Sequence, residues 1–310
     1  MAGKLANHIA KWREITSVKW VLDCVQHCRI EFIRTPWQAH IPKELQCGAT
    51  EGAIITASIA DMLQKGAIVQ TVHTAGEFLS NIFIRPKKDG SFRPIINLKG
   101  LNAFVAHFHF KMETIRTAIQ LIRPQCYMAS VDLKDAYFAV PIASEHRKYL
   151  RFTWRGVVYE FTCLPFGLSS APRVFTKVMK PLIASLRMRG HESCDYLDDA
   201  LLVGRTFQEC RENVRARTSL TRSLGFTVNY KKSALTPTKH IDFLGFHLDS
   251  ERMTISLPHS KVHSIIALIQ QLLQQQSPKI RDVARVIGLL VSCEIQACEW
   301  VMEKKEENLF

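Results

Sequence analysis

No run of apolar residues in this chain is long enough to cross a bilayer. The opening residues, MAGKLANHIAKWREI, place charges where a secretory leader needs an apolar core. A soluble intracellular protein without membrane partners is therefore expected. There is no Cys-x-x-Cys pair; the nine cysteines are odd in number and scattered, which argues against a disulfide framework and a zinc ribbon. Cys24, His27 and Cys28 cluster on one short helix with no second ligand pair, so they read as reduced thiols and a surface histidine. Internal repeats and long low-complexity tracts are missing as well, QQLLQQQ (270–276) being too short to count. Acidic residues are in deficit. Asp and Glu total 28 against 41 Lys and Arg, a net charge of +13, which favours a polyanionic partner, nucleic acid being the common one, over a solvated basic surface alone.

What is present suffices for a large core: 310 residues, 47% of them hydrophobic. Ile15, Val18, Leu22 and Val25 are spaced for a helix from Thr16 to about His27, and residues 35–44, with two prolines, read as an extended linker. FLSNIFIRP and SFRPIINL read as two strands joined at Asp89-Gly90. A helix is expected from Met112 to Ile122 and a strand at 127–133. A hairpin turning near Arg155-Gly156 and a helix over 169–190 follow. CDYLDDALLVG (194–204) reads as strand, turn, strand, Phe207–Leu224 as a helix and 240–249 as one strand. After Pro258 the pattern is wholly helical, with Ser277 capping a second helix. The fold class is α+β, followed by a small helical module.

The chemistry lies in the acidic residues. Asp198 and Asp199 adjoin within apolar strand sequence, where two carboxylates repel one another and resist desolvation. Asp132, at the end of an earlier strand in SVDLKDAYF, supplies a third and Asp135 lies three residues on. Carboxylates on neighbouring strands that share divalent cations are the usual means of in-line phosphoryl transfer. Mg2+ takes hard oxygen ligands and keeps positions for water and substrate phosphates, so two or three carboxylates suffice.

Taken together, these segments resemble the palm motifs of reverse transcriptases in order and spacing, from about Glu77 to Gly288. FIRPKKDGSFRPIINLKGLN resembles the fingers hairpin, SVDLKDAYF motif A, LPFGLSSAPRVF motif B, YLDD motif C, LGFTVNYKKS motif D and FLGF the primer grip. The wording of HFKMETI, MASVDLKDAYFAVPI, HRKYLRFTWRG and LPFGLSSAP is most similar to retrotransposons of the DIRS type, which use a tyrosine recombinase, with gypsy-type long-terminal-repeat elements next. The resemblance implies a right-hand polymerase with an antiparallel palm sheet. Residues 1–76 would precede the polymerase. Fingers would cover about 77–126 and 141–165, palm about 127–140 and 166–257, and the start of a thumb 258–310.

It also implies roles. Asp132, Asp198 and Asp199, with the backbone carbonyl of Leu133, would hold two Mg2+ ions, Mn2+ being able to substitute. Lys232 would give a proton to pyrophosphate, with Lys231 as the alternative. Lys87 and Arg93 would hold the triphosphate of a dNTP. Asp135, Ala136, Tyr137, Phe166 and Gly167 would form the nucleotide pocket, Tyr137 excluding a ribose 2′-OH, Phe166 near the incoming base and Gly167 admitting the chain close to template-primer or nucleotide. Phe243, Leu244 and Gly245 would grip the primer. Retroviral enzymes have glutamine at the position of Phe166, whereas many retrotransposons carry phenylalanine there. The partners implied are an RNA template, a DNA primer and their hybrid. His107 and His109 read as an exposed strand, Asp195 as an exposed residue with support of the hairpin as its alternative, and a helix cap is the plainer role for Asp135.

Past about Trp300 the resemblance ends, and neither an RNase H acidic set nor a recombinase nucleophile is found. Three readings follow: an RNA-directed DNA polymerase; a degraded or domesticated copy that only binds nucleic acid; and an RNA-dependent RNA polymerase, against which Tyr137 and Leu197 argue.

Overall fold

The computed structural model describes residues 2–86, 90, 92–291 and 293. They fall into two compact units interleaved along the chain: residues up to 111, 133–185 and 219–228 in the first, and 112–132, 186–218 and 229 onward in the second.

The first unit begins with a 3-10 turn, Lys4–His8, and helices Ile9–Ile15 and Lys19–His27. The apolar spacing from Ile15 to Val25 runs across a break, because Thr16 is extended and its hydroxyl accepts the Val18 N–H at 3.1 Å. Leu5 and Trp12 are fully buried, and the Trp12 indole donates to the Leu224 carbonyl at 3.0 Å. Residues 35–44 are irregular, as two prolines lead one to expect. A helix not placed from the sequence follows, Ala49–Lys65, burying Ile55, Ile59 and Met62 and ending at left-handed Gly66. Its buried Gly52, Ile55, Ile59 and Met62 stand at helical spacing. Next comes a four-stranded sheet in the order Ile68–Thr71, Val157–Phe161, Arg151–Trp154, Leu79–Ser80. The hairpin Ile82–Pro86 with Phe92–Ile96 lies where expected, with Arg85 opposite Arg93.

The second unit is built on a four-stranded antiparallel sheet ordered Ala234–Thr238, Tyr127–Asp132, Asp199–Gly204, Glu192–Tyr196. One face carries Met128, Leu201, Val203 and Cys194, which pack with Ile115, Ile119 and Phe243 in one apolar core. Residues 240–249 form two strands instead of one, His240–Phe243 and Phe246–Asp249, joined through Leu244 and Gly245. Both turn residues have positive φ, +48° and +82°, the combination that a tight two-residue hairpin needs. Helix His259–Leu273 follows Pro258, and a second helix covers 280–291, starting later than a cap at Ser277 would place it. Among the described residues no helix is long and apolar enough to cross a membrane. All eight described cysteines are free, and His27 is exposed.

Candidate active site

Strand pairing assembles the acidic group. Asp132 is the last residue of its strand and stands opposite Asp199, the first residue of the next. Tyr196 also pairs with Asp199, leaving Leu197 and Asp198 as the turn, with Leu197 at φ +53°. A leucine accepts that conformation at some strain, in return for presenting Asp198 and Asp199 together at the tip. Burial, the charges of Asp198 and Asp132, and a hydrogen bond with Asp132 push the Asp199 carboxyl up to about 7, while the Lys232 ammonium acts in the opposite direction. Thus Asp132, Asp198 and Lys232 all lie within electrostatic reach of Asp199.

The backbone of Asp132 is fixed from the Lys232 side. Its N–H donates to the Ser233 hydroxyl at 3.0 Å and its carbonyl accepts the Asn229 N–H at 2.8 Å. The Ser233 hydroxyl in turn donates to the Asn229 carbonyl at 2.8 Å, so the turn that carries Lys232 is stitched to the strand that carries Asp132. Sequence reasoning missed Asn229 and Ser233; both look like ordinary turn residues and no local signal separates them from others.

Excess negative charge on oxygen donors, with one ammonium to offset it, is donor chemistry that fits a hard divalent cation. As placed, no group of three His, Cys, Asp or Glu side chains among the described residues is gathered tightly enough to hold a metal ion. An ion would have to draw the set together, as crowded carboxylates that repel one another permit.

The primer-grip residues are in the same unit. Phe243 and Phe246 are core residues, 4% and 5% exposed, and Gly245 forms the hairpin tip beside the Lys261 ammonium, which also lies 5.0 Å from the centre of the Phe246 ring.

Leu133 and the nucleotide-pocket residues belong to the first unit. Leu133 forms an isolated bridge with Val228. Asp135 occupies the cap position of the 3-10 turn Ala136–Ala139 at φ +50°, but its side chain makes no cap bond and pairs with Lys65 at 3.0 Å. Ala136 is buried, and Tyr137, 8% exposed, stacks on Phe166 (ring centroids 5.2 Å apart) and packs against Phe175 at 5.3 Å. Gly167 has φ +107°, and a Cβ there would lie 2.5 Å from the Ile96 carbonyl oxygen, so the close approach it allows within the protein is to the hairpin strand Phe92–Ile96. Asn102, which the sequence did not single out, donates to the Gly167 carbonyl and accepts the Ser169 N–H, both at 2.9 Å.

Other expectations change. Asp195 is buried, 7% exposed, and forms an ion pair with fully buried Arg217. His107 and His109 lie in an irregular exposed segment instead of a strand. Lys87 lies outside the described residues, as does the side chain of Arg93, whose backbone is in the hairpin.

Residues 85–248 match the reverse transcriptase (RNA-dependent DNA polymerase) family, so this chain belongs to that family. It is 25% identical over 233 residues to a Pro-Pol polyprotein of Simian foamy virus type 1, a stretch covering 75% of this chain and 19% of the viral protein. It is 24% identical over 200 residues to the transposon Tf2-3 polyprotein of Schizosaccharomyces pombe, 64% of this chain and 14% of that one. The Gag-Pol polyprotein of Walleye dermal sarcoma virus is 27% identical over 221 residues, 70% of this chain and 12% of that protein. The chain therefore spans less than a fifth of the length of these curated relatives. Among solved structures, the foamy viral protease-reverse transcriptase in complex with double-stranded DNA superposes with a TM-score of 0.71 at 21% identity, covering 84% of this chain and 44% of that one. The same viral enzyme in complex with an RNA/DNA hybrid gives 0.68 at 20% identity, covering 84% and 33%. The α+β polymerase fold is thereby shown.

Proposed function

We propose that this chain is the polymerase segment of an RNA-directed DNA polymerase, extending a DNA primer on an RNA or DNA template with dNTPs. The observation that carries the reading is the opposition of Asp132 and Asp199 with Asp198 on the adjoining turn. These three carboxylates, with the Leu133 carbonyl, would hold two Mg2+ ions, for which Mn2+ could stand in. When bound, such ions supply Lewis acidity at the primer 3′-hydroxyl and neutralise charge on the leaving pyrophosphate. Lys232, whose ammonium is felt at Asp199, would hold the proton delivered to the pyrophosphate oxygen. Lys87 and Arg93 would bind the triphosphate, the first as a point charge and the second as a fork. Asp135, Ala136, Tyr137, Phe166 and Gly167 would shape the nucleotide pocket, and Phe243, Leu244 and Gly245 would hold the primer terminus.

The source we favour is a retrotransposon of the DIRS type, on the wording of MASVDLKDAYFAVPI and LPFGLSSAP. Division into residues preceding the polymerase (1–76), fingers and palm (77–257) and thumb start (258–310) belongs to the same reading, as does action on nucleic acid inside the cell.

Primer extension on a homopolymer RNA template with Mg2+ or Mn2+ tests it. Extension by the natural sequence, lost in Asp198→Asn, is expected, since removing a metal carboxylate costs several kcal/mol of barrier, at least about a hundredfold in rate. Extension within about tenfold of the natural sequence in that variant would overturn the assignment.

A further inference from the structure

Behind the YLDD turn lies a second set of charges that the proposed chemistry does not use. Asp195 pairs with Ala200 across the hairpin ladder, and Asp199 adjoins Ala200. Directly opposed residues share a face and neighbours along a strand alternate, so Asp195 is on the reverse face from Asp199. There it is held by three groups. Arg217, 1% exposed, donates Nη2 to Asp195 Oδ1, and the Ser193 hydroxyl donates to Oδ2 at 2.8 Å. The Asp195 backbone N–H donates to Glu113 at 2.7 Å.

Glu113 closes a second clamp. The strand Glu192–Tyr196 is at the edge of its sheet, where backbone groups lack a partner strand. Arg187 pairs with Glu113 at 2.6 Å and also donates to the Ser193 carbonyl at 2.7 Å. The pair therefore covers one donor and one acceptor of the edge, at Asp195 and Ser193. A stability role accounts poorly for the buried half of this arrangement. Among the described residues, Arg217 Nε and Nη1 have no hydrogen-bond partner, and a buried ion pair with unmade bonds is seldom better than an apolar pair of equal volume.

We propose that Asp195 and Arg217, with Glu113 and Arg187, are positioning residues that fix the outer strand of the hairpin and so the placement of Asp198 and Asp199 toward metal. This rests on the metal reading above. The carboxylates at the tip repel one another, and a strand gripped on its reverse face and along its edge resists the splaying that this repulsion favours.

The test compares the natural sequence with Asp195→Leu/Arg217→Leu, which removes both buried charges and leaves neither orphaned, and with Glu113→Gln at the partly exposed edge. Unfolding temperature, Mn2+ binding by electron paramagnetic resonance, and kcat and KM for dTTP on poly(rA)/oligo(dT) are measured. For the double variant we expect a retained unfolding temperature, half-saturating Mn2+ raised by about tenfold, kcat lowered by about tenfold and KM changed by less than about twofold. Glu113→Gln should move the same readouts in the same direction by about threefold. A folded double variant with unchanged Mn2+ binding and kcat would overturn the positioning role alone. If the double variant does not fold, unchanged readouts in folded Glu113→Gln would overturn it equally. Mn2+ binding by the natural sequence that Asp198→Asn leaves unaltered would overturn the metal reading, and positioning with it.

Discussion

Asp132 and Asp199 face one another as the terminal pair of an antiparallel ladder, where burial and the neighbouring charges of Asp198 and Asp132 raise the Asp199 pKa. With the Asp199 pKa at about 7 in the folded chain and in the ordinary carboxylate range when unfolded, the folded state binds more protons between those values. Stability of the metal-free protein should therefore fall as pH rises from about 4 through 7 and level off above. Urea unfolding in a chelator, compared with Asp199→Asn, checks this. The variant should gain on the natural sequence as pH rises, and Mg2+ should restore the natural sequence at pH 8. A stability difference independent of pH would show that the carboxylates are not crowded.

Tyr137→Val should have two effects that one assay cannot mix up. Losing a ring packed on Phe166 and Phe175 should lower stability by about 2–4 kcal/mol. If the ring also excludes the 2′-OH, the ratio of CTP to dCTP use should rise by about tenfold, near 1.4 kcal/mol of lost discrimination. A folded, active variant with an unmoved ratio would leave Tyr137 as packing only.

Gly167→Ala should destabilise the first unit by about 3 kcal/mol or more, since the backbone at φ +107° disfavours any side chain and the added carbon meets a carbonyl oxygen at 2.5 Å. Chemical denaturation measures it. Asn102→Ala, removing two hydrogen bonds to the same loop, should cost about 1–3 kcal/mol. A neutral Gly167→Ala would mean that the hairpin strand readily yields.

Binding to an RNA–DNA primer-template should weaken steeply with added salt, because Lys and Arg side chains displace condensed counterions from phosphate. Fluorescence anisotropy across a salt series gives the slope. A flat response would mean that the net charge of +13 is not used on nucleic acid.

Much of the site was legible because strand and turn sequence fix which carboxylates meet. YLDD between apolar runs can form a tight hairpin, and the run ending at Asp132 suits the neighbouring position. What stayed hidden depends on partners distant in sequence. Asp195 looks exposed until Arg217, 22 residues on, is seen beneath it. Ser233 looks like a turn residue until Asp132, 101 residues earlier, uses its hydroxyl. The helix Ala49–Lys65 was not placed although Ile55, Ile59 and Met62 are spaced for one, and the hairpin at Leu244 escaped because a leucine at positive φ is locally improbable. Tertiary contacts override local preference at such places.

The indole of Trp12 is bonded to a carbonyl 212 residues further along, at Leu224, and the two units take alternate turns in the sequence. On a translating ribosome, the first unit cannot complete its native contacts until residue 228 has emerged, so the surface around Trp12 stays unpaired for most of that unit's synthesis. Fragments ending before that residue should be chaperone clients and poor expressers, however well their local elements form.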